Sequence, residues 1–266
     1  MIPFHKMVAS GNDFVVIDNR KNIIRNAKAF TAKVCALHHG IGADGVLLFE
    51  NSRKADFKMR IINSDGSEAE ACGNGFRCIA LYAREKMGYS ARFRFESMAG
   101  IIEAYVKKPL IRVQLVNPSQ VRERSEIQVD GHRLHYSFLN TGVPHTVIFV
   151  EGLSKINVDS LGRSIRYHKD FNPRGTNVNF VELKGSHQIE VRTYERGVEA
   201  ETLACGTGST ASAVASALLG YAKPPVKVKT KGGEVLTIDF KSDGEKISNV
   251  TLEGAARFVY EGKLVS

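Results

Sequence analysis

Two of the four cysteines stand in a repeated setting that could do chemistry. Glu68-Ala69-Glu70-Ala71-Cys72-Gly73-Asn74-Gly75 recurs as Glu199-Ala200-Glu201-Thr202-Leu203-Ala204-Cys205-Gly206-Thr207-Gly208, with two extra residues before the second cysteine. Each copy is expected to open a helix. There the glycines permit a tight turn, and bare N–H groups at the helix start can bind a carboxylate. The same partial positive charge favours thiolate over thiol, so a cysteine at this place can be reactive at neutral pH. If two halves of the chain face each other across a cleft, one sulfur can take a proton from a carbon while the other delivers one to the opposite face. That chemistry inverts a stereocentre next to a carboxylate, over which the developing charge spreads and which the helix ends stabilise. It requires no cofactor. A lone cysteine beside small residues is ordinarily a buried hydrophobe, and Cys35 and Cys78 read that way. Recurrence in both halves sets Cys72 and Cys205 apart.

Other chemistries fit less well. Four Cys and eight His supply ligands in number, but no Cys-x-x-Cys pair exists, which argues against a zinc site or a thioredoxin-like redox role. Neither glycine-rich turn continues into the Gly-Lys-Ser or Gly-Lys-Thr of a phosphate loop. No metal is expected. The formal charge of +9 is scattered, and its densest cluster, 92–108, is interrupted by apolar residues, so a nucleic-acid partner is not expected. No basic stretch leads into a long apolar run, and nothing approaches the roughly 18 apolar residues of a membrane span. A soluble protein in the reducing cytoplasm, with thiols rather than disulfides, is the expectation.

The elements that must position the thiols follow from hydrophobic periodicity. A length of 266 residues suits two modest domains or one large one. β-rich runs bounded by Gly, Asn and Asp predict strands at 14–18, 45–49, 57–62, 91–97, 100–107 and 111–115, with helices over 27–39 and 76–87. The second half predicts strands at 134–138, 146–150, 178–183, 188–194, 226–230, 234–240 and 247–253 around one main helix, 209–219. The class is α+β. Asn117-Pro118-Ser119 is the natural hinge, because proline cannot donate to a ladder and biases its predecessor toward extended geometry. Two lobes are therefore expected: 1–118, open to completion by a C-terminal strand over 257–266, and 119–256. Phe4, Phe14 and Phe76 read as core.

The chain resembles the diaminopimelate epimerase family along nearly its whole length. The resemblance is carried by Gly11-Asn12-Asp13-Phe14, Gly40-Ile41-Gly42-Ala43-Asp44-Gly45, Asn63-Ser64-Asp65-Gly66-Ser67, Cys72-Gly73-Asn74-Gly75-Phe76-Arg77-Cys78, Gly142-Val143-Pro144-His145, Thr176-Asn177-Val178-Asn179-Phe180, Tyr194-Glu195-Arg196-Gly197 and Ala204-Cys205-Gly206-Thr207-Gly208. It implies two pseudo-symmetric domains, each a mixed, curled β-sheet wrapped around a central helix, with the active site between them. It implies a cofactor-independent conversion of LL-2,6-diaminopimelate to the meso isomer, in lysine and peptidoglycan precursor synthesis. Cys72 and Cys205 would be the acid and base. Asn12, Asn63, Asn177 and Arg196 would hold the distal end of this small amino-acid substrate, and Gly73, Asn74, Gly206 and Thr207 its reacting carboxylate. His145 and Glu195 would contact the α-amino group. A homodimer is left open.

Three departures bear on substrate range. Gly45 stands where many members have Gln, and Val143 where many have Asn. The segment 196–202 is one residue longer than the common pattern, which bears on how Glu195 sits. A racemase of glutamate or proline on the same scaffold is the nearest alternative; a ligand-binding protein or a basic nucleic-acid binder is the alternative from another class.

Overall fold

Short strands with period-two burial are joined by helices wherever the next strand runs parallel, because a parallel neighbour requires a crossover. The computed structural model describes residues 1–244 and 246–265. The chain divides into two units, Met1–Gln114 with Glu253–Ser266, and Leu115–Leu252.

The first unit contains β1 (Ile2–Ala9), β2 (Asn12–Asp18), α1 (Ala27–Cys35), β3 (Gly45–Glu50), β4 (Phe57–Asn63), α2 (Gly73–Lys86), β5 (Arg92–Ser97), β6 (Gly100–Lys107) and β7 (Leu110–Gln114). The last strand of the chain, Arg257–Leu264, runs antiparallel to β1. From there the sheet proceeds antiparallel to β2, parallel to β3, antiparallel to β4, parallel to β5, then antiparallel to β6 and β7. Helix α1 makes the first parallel crossover and α2 the second. α2 is buried from Gly73 to Ala83 and packs against β1, β2, β3, β6 and β7. Phe4, Phe14 and Phe76 are core.

The second unit contains β8 (Ser119–Val129), β9 (His132–Asn140), β10 (Pro144–Phe149), α3 (Val158–Arg166), β11 (Asn177–Gly185), β12 (Gln188–Glu195), β13 (Ala200–Thr202), α4 (Gly206–Leu218), β14 (Val226–Thr230) and β15 (Val235–Asp243), followed by β16 (Lys246–Ala255). Its pairings run antiparallel from β8 to β9 and β9 to β10, parallel to β11, antiparallel to β12, parallel to β14 and antiparallel to β15. The two units thus share one order of strand senses, with α3 and α4 at the crossovers that α1 and α2 fill in the first. α4 is buried from Gly206 to Ser216, apart from Thr207. Its glycines, alanines and serines let strands β9 to β12, β14 and β15 approach closely. Thr210, Ser212 and Ser216 return their hydroxyls to carbonyls one turn back, so the polar atoms inside are satisfied.

The structure corrects the expected elements in several places. The helix expected over 27–39 ends at Cys35, because the chain folds back and Ile41 and Gly42 donate their N–H groups to the Val34 carbonyl. Close approach of Gly40 makes this turn: a Cβ there would lie 2.4 Å from the Val34 oxygen. Helix α3 was not expected; Asn157 caps it by accepting from Ser160 N at 3.1 Å. β1 and β8 were also missed, since β8 is largely exposed and lacks a clean apolar alternation. Both thiol-bearing helices begin three residues earlier than expected, directly after their cysteines.

Candidate active site

Each cysteine of the repeat is the N-cap of the second crossover helix of its unit, in extended backbone geometry: Cys72 at φ −152° and Cys205 at φ −122°. In each copy glycine follows the cysteine at the first and third helix positions, Gly73 and Gly75 in one and Gly206 and Gly208 in the other. Cys72 Sγ accepts from Gly75 N at 3.4 Å, so the sulfur lies over the open helix end, where partial positive charge favours the thiolate. Its thiol also reaches Asn12 Oδ1 at 3.6 Å. Asn12 is oriented by Asp44, whose Oδ2 accepts from Asn12 Nδ2 at 2.5 Å and from Asp13 N at 3.0 Å. Buried Lys6 holds the same turn through Asp13 and the Gly42 carbonyl. The first unit therefore brings Asn12 to Cys72.

Asn74, buried in the first turn of α2, accepts from Arg77 Nη2 at 3.0 Å. Arg77 also donates to the Gly73 carbonyl, to Ser10 Oγ and to the Ala255 carbonyl, so one buried guanidinium ties the Cys72 turn to the turn bearing Asn12. Asn63 ends β4 exposed, with Nδ2 on Ser67 Oγ at 3.0 Å.

In the second unit, Cys205 is buried and its Sγ lies 3.4 Å from Thr207 Oγ1. The Thr207 carbonyl accepts from Thr141 Oγ1 at 3.2 Å, which joins the first turn of α4 to the loop before β10. Gly206 opens the helix. Asn177 spans the Pro144 carbonyl at 2.9 Å and the Arg196 backbone N–H at 2.8 Å, so it fixes the turn that carries Arg196. Arg196 donates to the Arg174 carbonyl, and its charge, after burial, helps hold His145 neutral, with a pKa lowered to about 3. Glu195 ends β12, half-buried, opposite Ala200. Contacts thus join Asn12 to Cys72, Thr207 to Cys205 and Asn177 to the backbone of Arg196, while Asn63 is the most exposed of the expected residues.

The family model described as "Diaminopimelate epimerase" matches residues 4–119 and 137–259. The chain belongs to the diaminopimelate epimerase family. Among curated relatives, "Diaminopimelate epimerase" of Aquifex aeolicus is 48% identical, over 98% of this chain and 97% of that protein. The protein of that name from Methanocella arvoryzae is 42% identical over 99% and 96%. Among solved structures, a phenazine biosynthesis protein of the PhzF family from Bacillus anthracis superposes with a TM-score of 0.75 at 17% identity, covering 100% of this chain and 99% of that one. A hydroxyproline epimerase from Agrobacterium vitis gives 0.73 at 14% identity, covering 99% and 90%. These structures share the fold: sheet-dominated, mixed in strand sense, with few helices.

Two of the three family departures have local structural accounts. A Cβ at Gly45 would stand 2.6 Å from the Ile62 carbonyl oxygen, so glycine here is what lets β3 pair with β4 directly beside Asn63. The longer segment 196–202 is absorbed in the turn between β12 and β13. Glu199 takes a left-handed φ of 60° there and is pinned by Arg166 at 3.1 Å and by Gly197 N at 3.0 Å. Lys6 and Arg166 were not expected from sequence, and Asp44, Arg77 and Asn179 lie within the family signatures without an expected role. Long polar side chains near the turns were the available signal. Among the described residues no group of three His, Cys, Asp or Glu could hold a metal, and no helix is long and apolar enough to cross a membrane.

Proposed function

We propose that this isomerase interconverts LL-2,6-diaminopimelate and meso-diaminopimelate, with Cys72 and Cys205 as the two bases. The observation that carries the reading is the duplicated turn: one thiol per unit, each capping the corresponding crossover helix. One thiolate removes the α-proton while the other thiol protonates the opposite face. The carbanion-like charge spreads onto the α-carboxylate, received by N–H groups at Gly73, Asn74, Gly206 and Thr207. Arg196 is the charged partner of the distal carboxylate, with Asn12, Asn63 and Asn177 around it. Glu195 and His145 serve the reacting end, Glu195 as the anionic partner of the α-ammonium group. No cofactor enters the scheme.

This reading places the enzyme in a reducing cytoplasm where both sulfurs stay available, and takes a homodimer as the assembly, to be checked by sedimentation. The deciding experiment is deuterium incorporation from solvent into the α-position of diaminopimelate. Exchange is expected in the unsubstituted protein and loss of turnover in Cys72→Ala and Cys205→Ala. Near-normal activity of either variant would end the two-thiol mechanism, and exclusive action on glutamate or proline would remove diaminopimelate as substrate.

A further inference from the structure

His145 on β10 is completely buried, and Asn179 reaches it from β11. The Asn179 amide has only one consistent orientation. Its Nδ2 lies 3.0 Å from the Thr146 carbonyl oxygen, an atom that can only accept, and its Oδ1 accepts from Thr193 Oγ1 at 3.0 Å. The same Nδ2 lies 3.1 Å from His145 Nδ1. A ring nitrogen facing an N–H donor must offer its lone pair, so the ring proton belongs on Nε2. Nε2 is buried and has no hydrogen-bond partner among the described residues. In a network otherwise satisfied, one open donor marks a place for an acceptor atom that comes from outside the chain.

We infer that Asn179 is a positioning residue that holds His145 as the neutral Nε2–H tautomer, and that this N–H donates to a carboxylate oxygen of the substrate. The second half rests on the function proposed above; the first does not. An ammonium group cannot be the partner, because both groups would be donors, which leaves the α-amino group to Glu195. The groups that act on the ring are Asn179 from β11 and Arg196 from the turn after β12. Burial and the arginine's charge both oppose an imidazolium, so the ring remains neutral at working pH. Helix α4 closes the cradle from behind: a Cβ at Gly208 would stand 2.3 Å from Asn179 Oδ1 and 3.3 Å from Cys205 Cβ. Asn179 thus ties the histidine to the same helix turn that carries Cys205.

The test is nitrogen NMR of the full-length protein labelled in histidine. His145 signals are identified by their loss in both His145→Gln and His145→Asn. The expected result is an unprotonated Nδ1 and a protonated Nε2 from about pH 5 to about pH 8. Saturating meso-diaminopimelate should shift the Nε2–H signal without moving the proton. In Asn179→Asp the new carboxylate can only accept, so the proton should transfer to Nδ1 and kcat/KM should fall at least about tenfold. If that variant does not fold, the spectrum of the unsubstituted protein decides. A proton on Nδ1, or an imidazolium in that range, overturns the tautomer assignment. An Nε2–H signal unmoved by substrate in protein that turns over overturns the carboxylate contact. Absence of turnover with the tautomer intact overturns the proposed reaction and the contact, and supports the role of Asn179 in setting the ring.

Discussion

At the scale of single residues, four thiols of one chemical type are separated by where the chain puts them. Cys72 caps α2 and meets Asn12, and Cys205 caps α4 beside Thr207. Cys35 is buried at the end of α1, where desolvation pushes its pKa up to about 11, and Cys78 is fully buried in α2. Replacing Cys72 or Cys205 by Ala is expected to lower kcat by about 100-fold to 10,000-fold, the usual worth of a positioned acid or base. Cys35→Ala should leave steady-state turnover within a few-fold of normal. Alkylation at pH 8 followed by mass spectrometry should spare Cys35 in the folded protein, since little of a thiol with so high a pKa is ionised there. The raised value has a stability sign as well. The contribution of Cys35 is complete below its ordinary value of 9.0 and is lost as pH rises through about 11.

At the scale of elements, the two Cys-Gly-x-Gly turns are alike in sequence but meet different surroundings. A Cβ on Gly75 would touch the end of Met59 at 3.2 Å and Leu47 at 3.4 Å, flexible apolar groups that can give way. A Cβ on Gly208 would meet Asn179 Oδ1 at 2.3 Å, an atom already held by Thr193. Gly208→Ala is therefore expected to cost about 1–3 kcal/mol and to depress kcat, whereas Gly75→Ala should cost less. Thermal melting and initial rates on the pair check this; equal effects would mean that the α4 turn is not held by Asn179. The turn between β12 and β13 makes a similar point. Its extra length is harmless to the hairpin because Arg166 holds Glu199, and Arg166→Ala should loosen Glu195 and Arg196, seen as a raised KM.

For the whole molecule, acid and oxidant are the informative perturbations. His145 has its pKa lowered from 6.5 to about 3 by burial first and by Arg196 second. The unfolded chain therefore takes this proton before the folded one does, and the stability it confers is complete above pH 6.5 and lost as pH falls toward 3. The slope contributed by one such group is at most about 1.4 kcal/mol per pH unit. Urea titrations between pH 7 and pH 4 should show a shallower loss in His145→Gln than in the unsubstituted protein. Mild oxidation is expected to stop turnover until reductant is added, since the proposed chemistry needs both sulfurs as thiol or thiolate. Peptide mapping would identify the oxidised cysteines, and full activity after both had been oxidised would count against the two-thiol mechanism.

Much of this protein was legible in the residues alone: the α+β class, most strands, both thiol-bearing helices and the family. Periodicity and glycine punctuation are local properties, and a duplicated turn is visible as text. The end of α1, the capped helix α3 and the exposed strand β8 were not, because each depends on where distant carbonyls, caps and neighbouring strands lie. The same holds for Arg77, which joins two turns far apart in sequence, and for Asn179, which reads as one more polar residue in a strand. Sequence could propose the reactive atoms. Only the folded chain could orient the amides and guanidinium groups that settle which atoms donate and which accept, since a hydrogen bond depends on direction and spacing in three dimensions.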